Sequence, residues 1–233
     1  MFRWLTRRMT TERLCSHTAG EWYGFYRSPQ YFQGDLASAV TVALREALAN
    51  QEELPDFAVE RWLTTLLTTD PREIVRCLAA VKVGLDKLAD DEPALLAALH
   101  DESDIVRRSA ALALVALDTV RGLSAVVAGS RHGHAVRTQA AHRLREHGED
   151  AVEAIPSLLC LLRDPKINWR SHAAAAGALA AIGESAVPAL VQVFEHSEPR
   201  LRYFAAMALK ELNKTPALLA AIDEQLAACH NGD

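Results

Sequence analysis

Apolar residues recur along this chain at helical spacing, in runs broken by proline and short polar turns. One six-residue pattern returns five times: an apolar residue, an arginine, two variable positions and two alanines. The copies are VRCLAA (75–80), VRRSAA (106–111), VRTQAA (136–141), WRSHAA (169–174) and LRYFAA (201–206). Their arginines, Arg76, Arg107, Arg137, Arg170 and Arg202, are separated by 31, 30, 33 and 32 residues. A second run keeps nearly the same beat, with proline at its head: EPALLAALHD (92–101), IPSLLCLLRD (155–164), VPALVQVFEH (187–196) and TPALLAAIDE (215–224). Proline is tolerated in the opening turn of a helix, where its missing N–H has no intrahelical partner to lose. Short polar turns, TDPRE, HDESD, RDPKIN and HSEP, join this run to the helix that carries the alanine pair. Each repeat is therefore predicted to be a helical hairpin, a proline-headed A helix followed by a B helix. One hairpin cannot bury its own apolar face, so neighbours must stack.

This pattern resembles the HEAT-repeat family, in particular its short bacterial branch related to the phycobilin lyase repeats, over roughly residues 55–229. The resemblance implies an all-α fold, a right-handed α-α superhelix of about five hairpins with capping helices, spanning 35–233. Residues 36–50 are expected to add one amphipathic helix ahead of the first hairpin. The repeat that contains VRTQAA departs most from the pattern. Its turn reads GSRHGHAV without aspartate-proline, and its A helix, 118–129, lacks the proline. The family consists mainly of scaffolds with a few enzymes among them, so the resemblance bears on fold more than on function.

Residues 1–34 match nothing in the repeat and form a separate expected segment. Within it, EWYGFYRSPQYFQGD (21–35) holds six of the chain's fourteen aromatic residues. One reading is a cap over the open end of the helix stack, since each ring can cover ~150–250 Å². The other is a partner-docking arm, with Trp22 and Tyr26 as contacts and Arg3, Arg7, Arg8, Arg13 and Arg27 set against only Glu12 and Glu21.

Composition narrows the chemistry. The net charge of −5 argues against a general nucleic-acid binder. Cys15, Cys77, Cys160 and Cys229 lie far apart with no C-x-x-C, which fits neither a zinc site nor a disulfide framework and suits a cytoplasmic protein. No signal peptide and no membrane span are expected. RHGHAVRTQAAHRLREHGED contains His132, His134, His142 and His147, but a helix over 134–147 separates its ends by ~20 Å, so no metal site is expected. No histidine precedes a glutamate, unlike the di-iron hydroxylases of the HEAT family. No nucleophile elbow, P-loop, H-E-x-x-H or dinucleotide fingerprint occurs. No cofactor and no catalytic residue is expected.

Three repeats place an aspartate six residues before the arginine: Asp70 and Arg76, Asp101 and Arg107, Asp164 and Arg170. These are expected to be structural pairs within each hairpin, leaving Arg137 and Arg202 as the better candidates for outside contacts. Counting one, two and five residues past each arginine gives the expected concave face: Arg108, Ser109 and Leu112; Thr138, Gln139 and His142; Ser171, His172 and Ala175; Tyr203, Phe204 and Met207. Of these, Arg108, His142, His172, Tyr203, Phe204 and Met207 are the candidate protein-binding residues, unless the terminal helix at 215–229 folds over the last three. The expected function is a non-catalytic protein-interaction scaffold. The alternatives are a HEAT-like DNA-binding or glycosylase-type enzyme, against which the acidic stretches 46–60 and 86–104 count, and a pigment-lyase-like chaperone.

Overall fold

A computed structural model describes residues 59–129, 131 and 133–212. The segment 1–34 with Trp22 and Tyr26, the helix expected at 36–50 and the one expected at 215–229 lie outside the described residues. Among the described residues the fold is all-α: α1 (Val59–Thr69), α2 (Glu73–Asp86), α3 (Glu92–Ala98), α4 (Asp104–Leu117), α5 (Val120–Ala128), α6 (His134–His147), α7 (Ile155–Arg163), α8 (Trp169–Ile182), α9 (Val187–His196) and α10 (Pro199–Leu212). They pair as hairpins, and the second helix of each pair, α2, α4, α6, α8 or α10, has 14 residues. Proline occupies the opening turn of α3, α7 and α9, as its lack of a donor predicts.

The chain divides into two compact units, Met1–Gly122 and Leu123–Asp233, with the boundary inside α5. This is the A helix of the repeat that departs most from the pattern. In the first unit α2 packs along α4, with α1 against α2 and α3 against α4. Leu63, Leu67, Leu78, Leu95 and Leu114 are fully buried there. In the second unit α6, α8 and α10 pack in succession, with α7 and α9 behind them. Leu144, Leu158, Leu161 and Leu162 fill that core. Each such leucine is worth about 1.5–3 kcal/mol of burial.

Four B helices end on a residue with positive φ: Lys87 (53°), Asp118 (61°), Gly148 (57°) and Gly183 (88°). The chain must turn sharply there to start the next A helix, and a positive-φ residue provides the turn. These ends fix the repeat register. Eleven residues before each end lies the ladder position: Arg76 and Arg107 lie eleven before Lys87 and Asp118, and Arg137 lies eleven before Gly148. Eleven before Gly183 lies His172, not Arg170. The alanine pair equivalent to Ala79-Ala80, Ala110-Ala111 and Ala140-Ala141 is Ala175-Ala176, all buried. The WRSHAA match is therefore two residues out of register, because α8 starts five residues after Asp164 where α2 and α4 start three after Asp70 and Asp101.

The ladder itself connects neighbouring hairpins through its side chains. Arg76 Nη1 donates to the backbone carbonyls of Asp70 and Pro71, 2.9 and 3.1 Å. Its Nε and Nη2 donate to both carboxylate oxygens of Asp101 in the next turn, at 2.8 and 2.9 Å. Arg137 repeats the arrangement, with Nε on the carbonyl of Val127 at 2.9 Å and Nη1 on Asp164 at 2.6 Å. Only 3% exposed, Arg137 is a rung and not the outside contact expected of it. The carboxylate of Asp70 binds Arg72 instead of Arg76, and that of Asp164 binds Arg137 instead of Arg170. Arg107 grips the carbonyls of Asp101 and Glu102, both at 2.7 Å, and reaches Asp104 at 3.2 Å. Its Nε is buried without a partner. The turn that follows it, GSRHGHAV, has no acid to complete a rung.

One apolar stretch departs from expectation. Trp169–Glu195 is long and apolar enough to cross a membrane by length and composition, with half of its most apolar part buried in the fold. Gly183 turns the chain within it, so the stretch is two core helices joined by a 3-10 turn, Gly183–Ala186.

The helix ends carry opposite predictions. A methyl group at Gly183 meets nothing closer than 3.8 Å, so Gly183→Ala costs only backbone strain, about 1–2 kcal/mol of unfolding free energy. Lys87→Gly relieves the same strain and adds about 0.5–1 kcal/mol, less the entropy of the freer unfolded chain. Chemical denaturation of both variants checks the register, which equal effects of one sign would contradict.

Candidate functional site

The second unit presents the second-helix face on which the candidate residues concentrate. Asn168 caps α8, its side chain accepting the Ser171 N–H at 3.0 Å. This starts the helix at Trp169, which the longer turn carries outside the ladder. Trp169 is 62% exposed, and the guanidinium of Arg170 lies 5.8 Å from its ring centroid, within cation–π range. On α10, Tyr203 and Met207 are 37% and 45% exposed and lie one turn apart. The corrected register aligns them with Ala173 and Gly177 on α8 and with Thr138 and His142 on α6. Small residues on the middle helix thus lie between larger ones on its neighbours. Arg145 of α6 lies across Gly177, where an added methyl group would sit 3.6 Å from its guanidinium. It goes on to pair with Glu211 of α10 at 3.2 Å, so a cross-helix ion pair closes that end.

Two of the expected contact residues are core residues. His172 and Phe204 are buried, because they occupy or adjoin the ladder position on faces turned into the α8–α10 packing. Their rings stack with centroids 5.3 Å apart, and Tyr203 meets Phe204 edge-on at 5.5 Å. Ser109, Leu112, Ser171 and Ala175, assigned to the same face, are buried as well. Arg108 is exposed and pairs with Asp104 at 3.0 Å, in the first unit. His142 is exposed on α6, whose histidines His134, His142 and His147 do not converge. No group of three or more His, Cys, Asp or Glu among the described residues is placed to hold a metal ion. Trp169 was missed as a contact residue, and the signal that finds it is Gly183, whose position resets the register of α8.

Residues 155–233 match the family model of HEAT repeats, and residues 93–120 match that of the HEAT repeat. These two stretches carry HEAT repeats. Among solved structures, an engineered protein is similar at 20% identity, over 89% of this chain and 93% of that one, with a TM-score of 0.45. The complex of CpcE and CpcF of phycocyanin lyase from Nostoc sp. PCC7120 is similar at 19% identity, over 92% and 95%, with a TM-score of 0.40. No curated protein matches the sequence.

Within the HEAT ladder His172 takes the arginine's place and half of its work. Its Nδ1 lies 2.9 Å from the carbonyl of Leu162, ten residues back, as Arg137 Nε does with Val127. Burial, and then the nearby positive charge of Arg200, push its pKa below the ordinary value. The ring is therefore neutral near pH 7. A carbonyl only accepts, so Nδ1 carries the proton, and Nε2 is left as a buried acceptor without a partner.

A histidine whose folded-state pKa is depressed takes up its proton more readily when unfolded. Its contribution is present above the ordinary pKa near 6.5 and is lost as pH falls towards the folded value. Between pH 7.5 and 5.5 this one group removes up to about 1.4 kcal/mol of stability. His172→Gln is expected to remove that increment from the pH dependence of urea unfolding. Equal slopes in wild type and variant would contradict the assignment.

Proposed function

We propose that this HEAT-repeat chain is a non-catalytic protein-interaction scaffold whose contact face in the second unit is built on Trp169, Tyr203 and Met207. The observation that carries this reading is the partial exposure of three large side chains on two neighbouring helices. Tryptophan, tyrosine and methionine dominate binding energetics where they are buried by a partner, since they bring much apolar area with little rotamer entropy or great adaptability. Rigid packing of α8 against α6 and α10 fixes their spacing, which limits the ordering cost on binding. The four cysteines, far apart in the sequence and without a C-x-x-C pair, fit a reducing cytoplasm as the place of action.

The test places a photo-crosslinking amino acid at position 207 of the full chain in a native extract. A discrete protein adduct is expected, and Tyr203→Ala should weaken its formation about 30-fold, equivalent to ~2 kcal/mol. A circular dichroism melt of the same variant separates loss of the contact from loss of the fold. Adducts confined to nucleic acid or small molecules, or none, would overturn the reading.

A further inference from the structure

We infer that the Trp169–Arg170–Tyr203–Met207 face recognises an acidic protein segment carrying a bulky apolar anchor. This rests on the scaffold reading above and names its partner's chemistry. Four cations, Arg163, Lys166, Arg170 and Arg200, stand exposed in and beside the two turns that lead into α8 and α10. Asp164, the one acid of the turn before α8, is already committed to Arg137 at 2.6 Å and to the Lys166 N–H at 3.0 Å. It therefore does not neutralise the neighbouring cations as sequence counting suggests. Glu195 and Glu198 near the head of α10 offset two of the four charges. The local excess remains positive on a chain whose net charge is −5. A positive patch on an acidic protein steers acidic partners and disfavours basic ones.

The apolar part of the face sets the rest of the specificity. From Trp169 to Gly177 along α8 the distance is ~12 Å, room for about two turns of a helix or four extended residues. The Trp169 ring at one end and the Tyr203–Met207 pair on the neighbouring helix give an anchor side chain apolar surface to cover. Between them Ala173 presents only a methyl group, and the side chain of Arg145, paired with Glu211, lies across Gly177 and bounds the far end. The exposed guanidinium of Arg170, 5.8 Å from the centroid of the indole ring, is within reach of a carboxylate beside the anchor. Mixed apolar and charged contacts of this kind favour a protein segment over nucleic acid, whose continuous phosphates would also meet Glu195, Glu198 and Glu211.

The test pans the immobilised full-length protein against a phage-displayed library of random twelve-residue peptides. Enriched peptides are expected to carry two or more acidic residues flanking a leucine or aromatic residue. The charge reversal Lys166→Glu with Arg170→Glu should weaken a synthetic enriched peptide about tenfold or more, with a steep salt dependence. Trp169→Ser should weaken it comparably, and circular dichroism melts confirm that each variant is folded. Neutral or basic enriched peptides that are lost on Tyr203→Asp would overturn this inference alone and leave the scaffold reading in place. Peptides insensitive to every one of these variants, or no enrichment, would overturn both. Tighter binding of a 20-base-pair DNA duplex that is lost on charge reversal would overturn the inference in favour of nucleic acid.

Discussion

A guanidinium with one hand on its own turn and the other on the turn of the next hairpin is the contact on which the stacking order depends. Arg76 and Arg137 each donate to backbone carbonyls of their own repeat and to an aspartate 25 or 27 residues further on. The carbonyls lie in the turn after α1 (Asp70 and Pro71) and in the last turn of α5 (Val127), where no helix donor reaches them, so the arginine answers a need the backbone creates. The carboxylates respond in kind. Asp164 is held below the ordinary carboxylate range by its bond from Arg137. At Asp101 burial pushes upward, and the bonds from Arg76 and the Ser103 N–H outweigh it. Removing one member leaves a buried charge or carbonyl unanswered, which is why such contacts fix register even where their net stability is modest.

The same rule explains where the regularity stops. Arg107 finds its own carbonyls but no acid in GSRHGHAV, and the division into two units falls in that repeat. At His172 the rung is replaced by a ring that satisfies one carbonyl and stacks on Phe204. The two additional residues that make this substitution possible carry Trp169 and Arg170 out of the ladder and into solvent. The candidate contact face is thus a by-product of a local change in turn length on an otherwise periodic scaffold.

Much of this was legible in the sequence. The all-α fold, the hairpins and the proline-headed helices follow from periodicities that the chain repeats many times, each copy checking the others. The arginines and aspartates were paired within each hairpin, whereas their carboxylate bonds from Arg76 and Arg137 run to the next one. Sequence proximity favoured Asp70 with Arg76 and Asp164 with Arg170, whereas the B helix carries the arginine fork towards the following turn. The exposed face was read from the same motif and inherited its error at WRSHAA, where a run of four alanines lets the pattern match in two registers. Gly183 would have settled it, since a positive-φ helix end sits at a fixed distance from the ladder in every repeat that has one.

The central claim is that the rungs join successive hairpins, and a pair of double-mutant cycles on the full chain tests it most directly. Unfolding free energies for Arg137→Met, Asp164→Asn and the double variant should give a coupling of about 2 kcal/mol or more. The cycle of Asp164→Asn with Arg170→Met should give less than ~0.5 kcal/mol. Strong coupling between Asp164 and Arg170 with none between Asp164 and Arg137 would contradict the account.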